Sequence, residues 1–409
     1  MNKHIAIVGR LPLLSTAELE AVFGASKIQT FTNDSVFIDA EVSPEIYARL
    51  GGTTKLAKVL TELPNDWLSI EKYLLSTLPE HASYIQGKIT IGISVYGLSV
   101  SVKTLQRSLL SFKKLLKSSG HSVRVLLNKT QELSTAEVYH NKLTSENSWE
   151  LLVISSGSKT YLAQTLYVQN IDNYVNRDRN RPMRDARVGM LPPKLAQTIV
   201  NLALGNFKND ERRTMNEENN SPLPVPRSPF LILDPFCGTG VVLQEAMLMG
   251  YPTYGTDLES RMVEYTQKNL QWLKTFYSHE LPNFKLEVGD ATTHTWNPIP
   301  DAVAGETYLG PPLTKLIGDA DLSKMIYSVN KLHVQFLANI NSQISPGTRI
   351  CLAVPAWRTN AGYKHLPLLD KLGVMGYNWV KFEHVNERKI IYDREGQFVA
   401  RQLIVITKV

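Results

Sequence analysis

The sequence predicts an α/β protein whose last half is a doubly wound, mostly parallel sheet, and three observations predict it. From Phe230 onward short apolar strands alternate with amphipathic helices, the rhythm of a parallel sheet covered on both faces. The apolar strand Leu231–Leu233 runs directly into the turn Asp234-Pro235-Phe236-Cys237-Gly238-Thr239-Gly240, which opens a helix. The chain closes on Ile390–Asp393 and Gln402–Lys408, which read as an antiparallel hairpin.

At about 150 residues per domain, 409 residues suggest two or three domains. The chain is divided into a small α/β unit over 1–66, a second unit over 67–170, a basic connector over 171–191 and a third unit over 192–409. The first unit opens with strand His4–Val8 and a helix with a capping box, Ser15 and Glu18, that stops at Gly24. Strand Val36–Ile38 and a helix from Ser43-Pro44 to Gly51-Gly52 follow.

In the second unit, strand Ile89–Tyr96 precedes a helix over Val102–Ser118. Leu105, Leu109, Phe112 and Leu116 form its apolar stripe at helical spacing. Gly120 ends that helix, strand Ser122–Leu127 follows, and a capping box of Ser134 and Glu137 opens the next helix. Leu151–Ile154 and Tyr161–Val168 form a hairpin around Ser156-Gly157-Ser158.

In the third unit, Pro192-Pro193 suit the first turn of a helix over Lys194–Leu204. Residues 206–229 are polar, with little to bury, and are expected to form a mobile surface insertion. Strands Leu231–Leu233, Thr253–Gly255, Lys285–Val288, Ala302–Ala304 and Arg349–Val354 then alternate with helices Val241–Leu248, Arg261–Thr275 and Leu322–Asn341.

Composition removes several classes of function. Two cysteines, Cys237 and Cys351, are too few for a disulfide framework or a thiolate zinc site, and a reducing cytoplasm is the simplest setting. The nine histidines show no metal-ligand spacing. The opening apolar run is broken by Arg10 and reads as a strand, not a signal peptide. No stretch approaches the roughly 18 apolar residues of a membrane span.

Charge is concentrated. From Ser101 to Lys129 the chain holds seven cations (Lys103, Arg107, Lys113, Lys114, Lys117, Arg124, Lys129) and no acid, against a net charge of +6 overall. Lys103, Arg107, Lys114 and Lys117 lie largely off the apolar stripe, which leaves them for an anionic macromolecule or simply for water. The connector sequence RDRNRPMRDAR, residues 177–187, sets five arginines against two aspartates. It offers either a contact to an anionic macromolecule, RNA if the resemblance described below holds, through Arg177, Arg179, Arg181 and Arg184, or a linker ion-paired with Asp178 and Asp185.

The glycine turn fits a nucleoside ligand. A dinucleotide fingerprint fails because its third glycine would fall at Leu243, and a phosphate loop fails at Val241-Val242. Asp257 closes the second strand and can accept hydrogen bonds from ribose hydroxyls. Asp290, in VGDAT, closes the third and can fix an adenine amine. Each acid could instead cap a helix. The coincidence of Asp234, Asp257 and Asp290 with the glycine turn favours a cofactor held by Asp234, Pro235, Phe236, Gly238, Gly240, Asp257 and Asp290.

DPFCGTG, GTDLESRMV and GDAT together resemble the class I domain of THUMP-containing tRNA guanine methyltransferases, above all the archaeal and eukaryotic members acting at position ten. The resemblance covers most of the chain. It implies S-adenosylmethionine as cofactor, tRNA as partner, and methylation of a guanosine exocyclic amine. It also implies a ferredoxin-like domain over 1–66 and an RNA-binding THUMP-like domain over 67–170 that contains GISVYG and the basic segment. The connector resembles the family's linker, which ends in a Met/Leu-x-Pro-Lys-Leu-Ala stretch, here Met190 to Ala196.

The family centres its chemistry on Asp/Asn-Pro-Pro-Tyr/Phe, and here the aligned stretch is GETYLGPPL. Pro311 and Pro312 match, Gly310 replaces the acid or amide, and Leu313 replaces the aromatic. A preorganised transition-state partner is worth roughly 2.7–4 kcal/mol. Three readings follow. Glu306 or Tyr308 supplies the missing acceptor and ring. Carbonyls of Leu309 and Gly310 suffice for another acceptor atom. Or the domain binds cofactor and RNA without methylating, alone or with a partner subunit. A DNA amine methyltransferase shares the cofactor motifs, and the THUMP-like half argues against it. Trp357 could border the base pocket or pack in the core, and Cys237 packs as a small apolar residue.

Overall fold

The computed structural model describes residues 4–185, 191–206, 230–277 and 281–409. Met190, Arg187 and nearly all of the polar insertion lie outside them. The chain forms two compact units. The first comprises residues 1–12, 26–48 and 53–173, and the second residues 13–25, 49–52 and 174–409.

In the first unit the strands are β1 (His4–Val8), β2 (Ile28–Thr32), β3 (Ser35–Ile38), β4 (Thr53–Leu63), β5 (Lys88–Tyr96), β6 (Ser122–Val125), β7 (Ser148–Ser156) and β8 (Lys159–Val168). Among the described residues they make one eight-stranded sheet, β2-β3-β1-β4-β8-β7-β5-β6. β4 pairs antiparallel with β8, so strands from either side of residue 66 share this sheet. Its helices are α2 (Pro44–Ala48), α3 (Trp67–Ser83), α4 (Val102–Ser118) and α5 (Thr135–His140).

α4 has the bounds read from the sequence, and its stripe Leu105, Leu109, Phe112 and Leu116 is fully buried in a core with Ile89, Ile91 and Ile93 of β5. Lys103, Arg107, Lys114 and Lys117 are exposed, as the stripe requires. α5 carries the Ser134–Glu137 capping box.

One expectation at the N-terminus is corrected. Helix α1 (Pro12–Phe23) starts before Ser15, so Ser15 and Glu18 are not its capping box. Both are buried mid-helix. The Ser15 hydroxyl donates to the Gly52 carbonyl at 3.0 Å, and Glu18 accepts from the Gly51 and Gly52 amides at 2.9 and 2.7 Å and from Asn201 Nδ2 at 2.8 Å. The S-x-x-E spacing serves a tertiary contact because the Gly51-Gly52 amides have no helix to satisfy them: α2 ends at Ala48, earlier than expected.

The second unit holds the expected doubly wound sheet. Its helices are α6 (Ile171–Arg179), which begins in the first unit's last residues, α7 (Pro193–Leu204), α8 (Val241–Leu248), α9 (Ser260–Phe276) and α10 (Asp319–Asn341). Its strands are β9 (Ile232–Asp234), β10 (Thr253–Asp257), β11 (Phe284–Val288), β12 (Ala302–Glu306), β13 (Arg349–Thr359), β14 (Gly362–Lys364), β15 (Tyr377–Trp379), β16 (Ile391–Tyr392) and β17 (Val399–Lys408). The main path runs β11-β10-β9-β12-β13-β17-β15, with β14 on β13 and β16 on β17. β9 to β13 are parallel, and β17 lies antiparallel between β13 and β15. One face packs Val329, Phe336 and Ile340 of α10, and the other packs Leu243 and Met247 of α8 with Leu270 of α9. Trp357 is fully buried in the first of these clusters, so it is core and does not border the cleft. Among the described residues no helix is long and apolar enough to cross a membrane.

Candidate functional site

The strand order reverses beside β9, and at the carboxyl ends of β9 to β12 the second unit opens a cleft of about 680 Å³. Asp234, Pro235, Phe236, Gly238, Asp257 and Asp290 all line it, as do Glu306, Tyr308, Gly310, Pro311 and Pro312. Residues from the ends of four different strands, spread from Asp234 to Pro312 along the chain, therefore meet in one cavity. Gly240 does not line it. It sits behind the turn as the N-cap of α8, with φ +83° and Thr266 against its α-carbon.

Asp234 ends β9 and is buried, and its Oδ1 accepts from the Phe236 amide at 3.1 Å. Burial pushes its carboxyl well above the usual carboxylate range, and the neighbouring Asp257 and Glu306 push in the same direction. The adjacent strand makes room for it through Gly305, where a Cβ would lie 2.6 Å from Asp234 Oδ1. Asp257 ends β10 and joins two segments: Oδ2 accepts from the Gly238 amide at 2.9 Å and Oδ1 from Glu259 at 3.0 Å. Burial raises its pKa as well. Asp290 Oδ1 accepts from the Thr292 amide at 2.9 Å and hydroxyl at 2.7 Å, the local capping turn weighed for it, while still lining the cleft.

The glycine turn is held from behind by α9. Thr266 donates to the Gly238 carbonyl at 2.8 Å. Asn269 Nδ2 donates to the Thr239 carbonyl at 2.8 Å and to the Met183 carbonyl at 2.9 Å, and its Oδ1 accepts from the Met183 amide at 2.9 Å. The connector is thereby tied to the turn through one side chain.

On the acceptor side, Glu306 ends β12 and is engaged by Arg401 of β17, whose Nε donates to Glu306 Oε1. The Glu306 and Arg401 side chains are 14% and 6% exposed, so a buried guanidinium meets a half-buried carboxylate at the cleft wall. Next in the chain, Thr307 shares its hydroxyl with the Ala353 carbonyl at 3.2 Å and His333 Nε2 at 2.7 Å. His333 Nδ1 donates to the Val329 carbonyl at 2.7 Å, which leaves Nε2 as the acceptor for Thr307. Burial holds the His333 imidazole down to about 4. Tyr308 is half exposed at the cleft rim. Gly310 has φ +90°, a backbone that an acid or amide side chain would adopt only under strain. The turn 310–313 thus has backbone carbonyls but no side-chain acceptor and no aromatic ring.

Sequence reading missed one wall of the cleft. Gly396, Gln397, Phe398, Val399 and Arg401 line it from the C-terminal hairpin. The available signal was Arg401, a cation set inside the apolar strand VARQLIVITK well away from its end, whose burial calls for a carboxylate partner.

The basic residues divide. Lys103, Arg107 and Lys114 of the first unit are exposed, as are Arg179 and Arg184 in the second. Arg177 and Arg181 are buried, which corrects their reading as RNA contacts. Arg177 Nε pairs with the buried Glu245 at 2.9 Å, and its guanidinium lies 4.5 Å over the Tyr174 ring. An arginine so placed satisfies a buried carboxylate of α8 and cannot reach a phosphate. Asp185 pairs with Arg261 at 3.3 Å, so part of the connector is ion-paired.

The sheet order, with one antiparallel strand set between the last two parallel ones, and the cleft at its strand ends define the second unit as a class I methyltransferase fold. Two curated relatives and one solved structure narrow the likeness. The chain is 29% identical over 215 residues to a tRNA (guanine(10)-N2)-dimethyltransferase of Methanothermobacter thermautotrophicus, 52% of this chain and 53% of that protein. It is 33% identical over 118 residues to the protein of the same name in Pyrococcus abyssi, 29% of this chain and 26% of that protein. The chain therefore spans about half the length of the first relative, 53%, and about a quarter of the second, 26%. Over the full length of both chains it is similar in fold to TrmN from Thermus thermophilus, with a TM-score of 0.52 at 16% identity. No family model matches the chain.

Proposed function

We propose that this chain is an S-adenosylmethionine-dependent methyltransferase that modifies the exocyclic amine of a guanosine in tRNA. The observation that carries the reading is the shared cleft: the acids that end β9 and β10, Asp290 beyond β11, and the Glu306–Leu313 segment all line one cavity. The curated relatives' names support the substrate, and the fold supports the reaction class.

The residues fit the cofactor. Asp234 and Asp257 are buried carboxylates whose pKa values burial raises, and neither has a cation partner among the contacts above. Such groups favour a positively charged ligand. A Cβ at Gly238 would meet no atom closer than 3.9 Å, so the turn leaves space where a ligand can approach the backbone. Asp234 would face the ligand's cationic end, Asp257 its ribose, and Asp290 its adenine. When bound, S-adenosylmethionine supplies an electrophilic sulfonium methyl. The chain's own part is to orient the amine. A guanine amine is a weak nucleophile because its lone pair is delocalised into the ring. Acceptors for its hydrogens, drawn from Glu306 and the Leu309 and Gly310 carbonyls, with Tyr308 at the rim, would aim that lone pair.

The exposed cations Lys103, Arg107 and Lys114, with Arg179 and Arg184, are proposed to meet tRNA phosphates. In this reading 1–66 is ferredoxin-like, 67–170 THUMP-like, 171–191 a basic linker and 192–409 catalytic, in a cytoplasmic protein with both cysteines free and buried.

Gly310 and Leu313 favour a second reading, an RNA-binding protein that keeps the fold without methylating. Incubation with labelled methyl donor and unmodified bulk tRNA, beside an Asp257→Ala control, separates the two. Label above the control is expected. Label at the control level sinks the enzyme, and label on DNA but not on tRNA points to a DNA amine methyltransferase.

A further inference from the structure

The lone pair of an aromatic amine points at an electrophile only when the amine's hydrogens are accepted elsewhere, so the acceptor must be fixed before the base arrives. Three side chains at the end of β12 and just beyond it carry an oxygen: Glu306, Thr307 and Tyr308. Thr307 is buried, and its hydroxyl is shared between His333 Nε2 at 2.7 Å and the Ala353 carbonyl at 3.2 Å. Tyr308 is half exposed at the rim, open to competing water. Glu306 lines the cleft.

The fold holds Glu306 at both ends. Its backbone is in register with Ala353 of β13, and the Thr307 amide after it donates to the Ala353 carbonyl at 3.0 Å. Its carboxylate is held by Arg401, whose Nε donates to Oε1. The other oxygen, Oε2, has no hydrogen-bond partner among the described residues and is not buried. Arg401 is fixed in turn. It stands between Pro355 and Tyr392 on the neighbouring strands, and its guanidinium lies 6.0 Å from the centre of the Tyr392 ring. A guanidinium offers only donors, so the group at 306 must turn an oxygen toward it. A carboxylate does so and still shows the cleft a second oxygen. A carboxamide has one oxygen, so Arg401 would take it and leave an NH2 donor facing the cleft.

We propose that Arg401 is a positioning residue for methyl transfer: by taking Oε1 it leaves Glu306 Oε2 as a fixed acceptor in the cleft, which admits a base edge that brings an amine hydrogen and turns away one that brings only a lone pair. With that hydrogen accepted, the amine nitrogen forms its bond to the methyl carbon as the sulfur–methyl bond breaks, the sulfur keeping that electron pair. The methylated nitrogen then releases a proton to solvent. The proposal rests on the methyltransferase reading above.

The test is steady-state methyl transfer to unmodified bulk tRNA by wild type, Glu306→Ala, Glu306→Gln, Arg401→Met and the double variant Glu306→Gln with Arg401→Met. Dissociation constants for labelled S-adenosylmethionine, measured on each protein, set a saturating cofactor concentration, and melting temperatures report folding. Glu306→Gln should lower kcat by about 10²-fold or more, as much as Glu306→Ala, because a donor then faces the amine. Arg401→Met leaves the carboxylate unaimed and should lower kcat by about 10–10²-fold. Adding Arg401→Met to Glu306→Gln frees the amide oxygen and should raise kcat at least about tenfold above Glu306→Gln alone. A pair that serves only stability predicts the reverse, a double variant no more active than either single one. If the methionine variants do not fold, Glu306→Gln decides against Glu306→Ala: equal losses support the proposal. A Glu306→Gln protein as active as an active wild type, or a folded double variant no better than Glu306→Gln, overturns this assignment and leaves the methyltransferase reading standing. A wild type that binds cofactor but methylates no RNA overturns both.

Discussion

Arg401 donates to Glu306 across two strands of the sheet, joining the C-terminal β17 to the end of β12 inside the cleft. Breaking such a pair from one side leaves a half-buried charge without its partner. Arg401→Ala is expected to cost roughly 1–3 kcal/mol of stability. Arg401→Ala with Glu306→Gln should recover part of that, since the stranded carboxylate is gone. Urea unfolding of the two single variants and the double variant checks this. Strict additivity would mean that the pair is not coupled in solution.

Gly305 sets how closely β12 can approach Asp234. A Cβ at this position would sit 2.6 Å from Asp234 Oδ1 and 3.3 Å from its Cγ, so Gly305→Ala must displace that carboxylate. Overpacking of this kind costs about 1–3 kcal/mol. The cofactor dissociation constant should rise by about tenfold or more, the equivalent of ~1.4 kcal/mol. Equilibrium binding of labelled S-adenosylmethionine measures it. Unchanged affinity would mean that Asp234 does not face the ligand.

His333 gives the fold a pH dependence. Its imidazole is held down to about 4 from 6.5 by burial, so the folded state favours the neutral ring. The stability this gives is present above about 6.5 and is lost as pH falls toward about 4, up to ~3 kcal/mol at most. Protonation would also remove the acceptor that Nε2 offers Thr307. His333→Gln should flatten the stability profile between these limits. Parallel profiles for wild type and variant would contradict the assignment.

The cationic face of α4 makes a salt-dependence prediction. Replacing Lys103, Arg107 and Lys114 by alanine removes three exposed charges and no core packing. Affinity for tRNA should fall, and the slope of log K against log salt should shrink by up to about 3. The melting temperature should stay within about a degree or two, as surface substitutions usually do. Arg177→Ala should do the opposite, destabilising the fold through Glu245 while leaving the salt slope unchanged.

The legible parts of this chain were those where local chemistry and tertiary demand agree. The stripe of α4 and the glycine turn with its three acids need only periodicity and spacing, and both stand where the sequence put them. β4 was not readable, because its register is set by β8, a hundred residues on. Ser15 and Glu18 carried a capping-box spacing that the fold uses for the Gly51-Gly52 amides instead. Arg177 looked like a phosphate contact because nothing local reveals that Glu245 lies beneath it. The hairpin wall of Gln397 and Phe398 was invisible for the same reason, since β17 reaches the cleft only by inserting between β13 and β15.

The measurement closest to the central claim is nucleoside analysis by mass spectrometry of unmodified bulk tRNA after reaction with the full chain and S-adenosylmethionine. The account predicts N2-methylated guanosine, absent with Asp257→Ala. A different methylated base, or no methylated nucleoside from a protein that binds the cofactor, would contradict it.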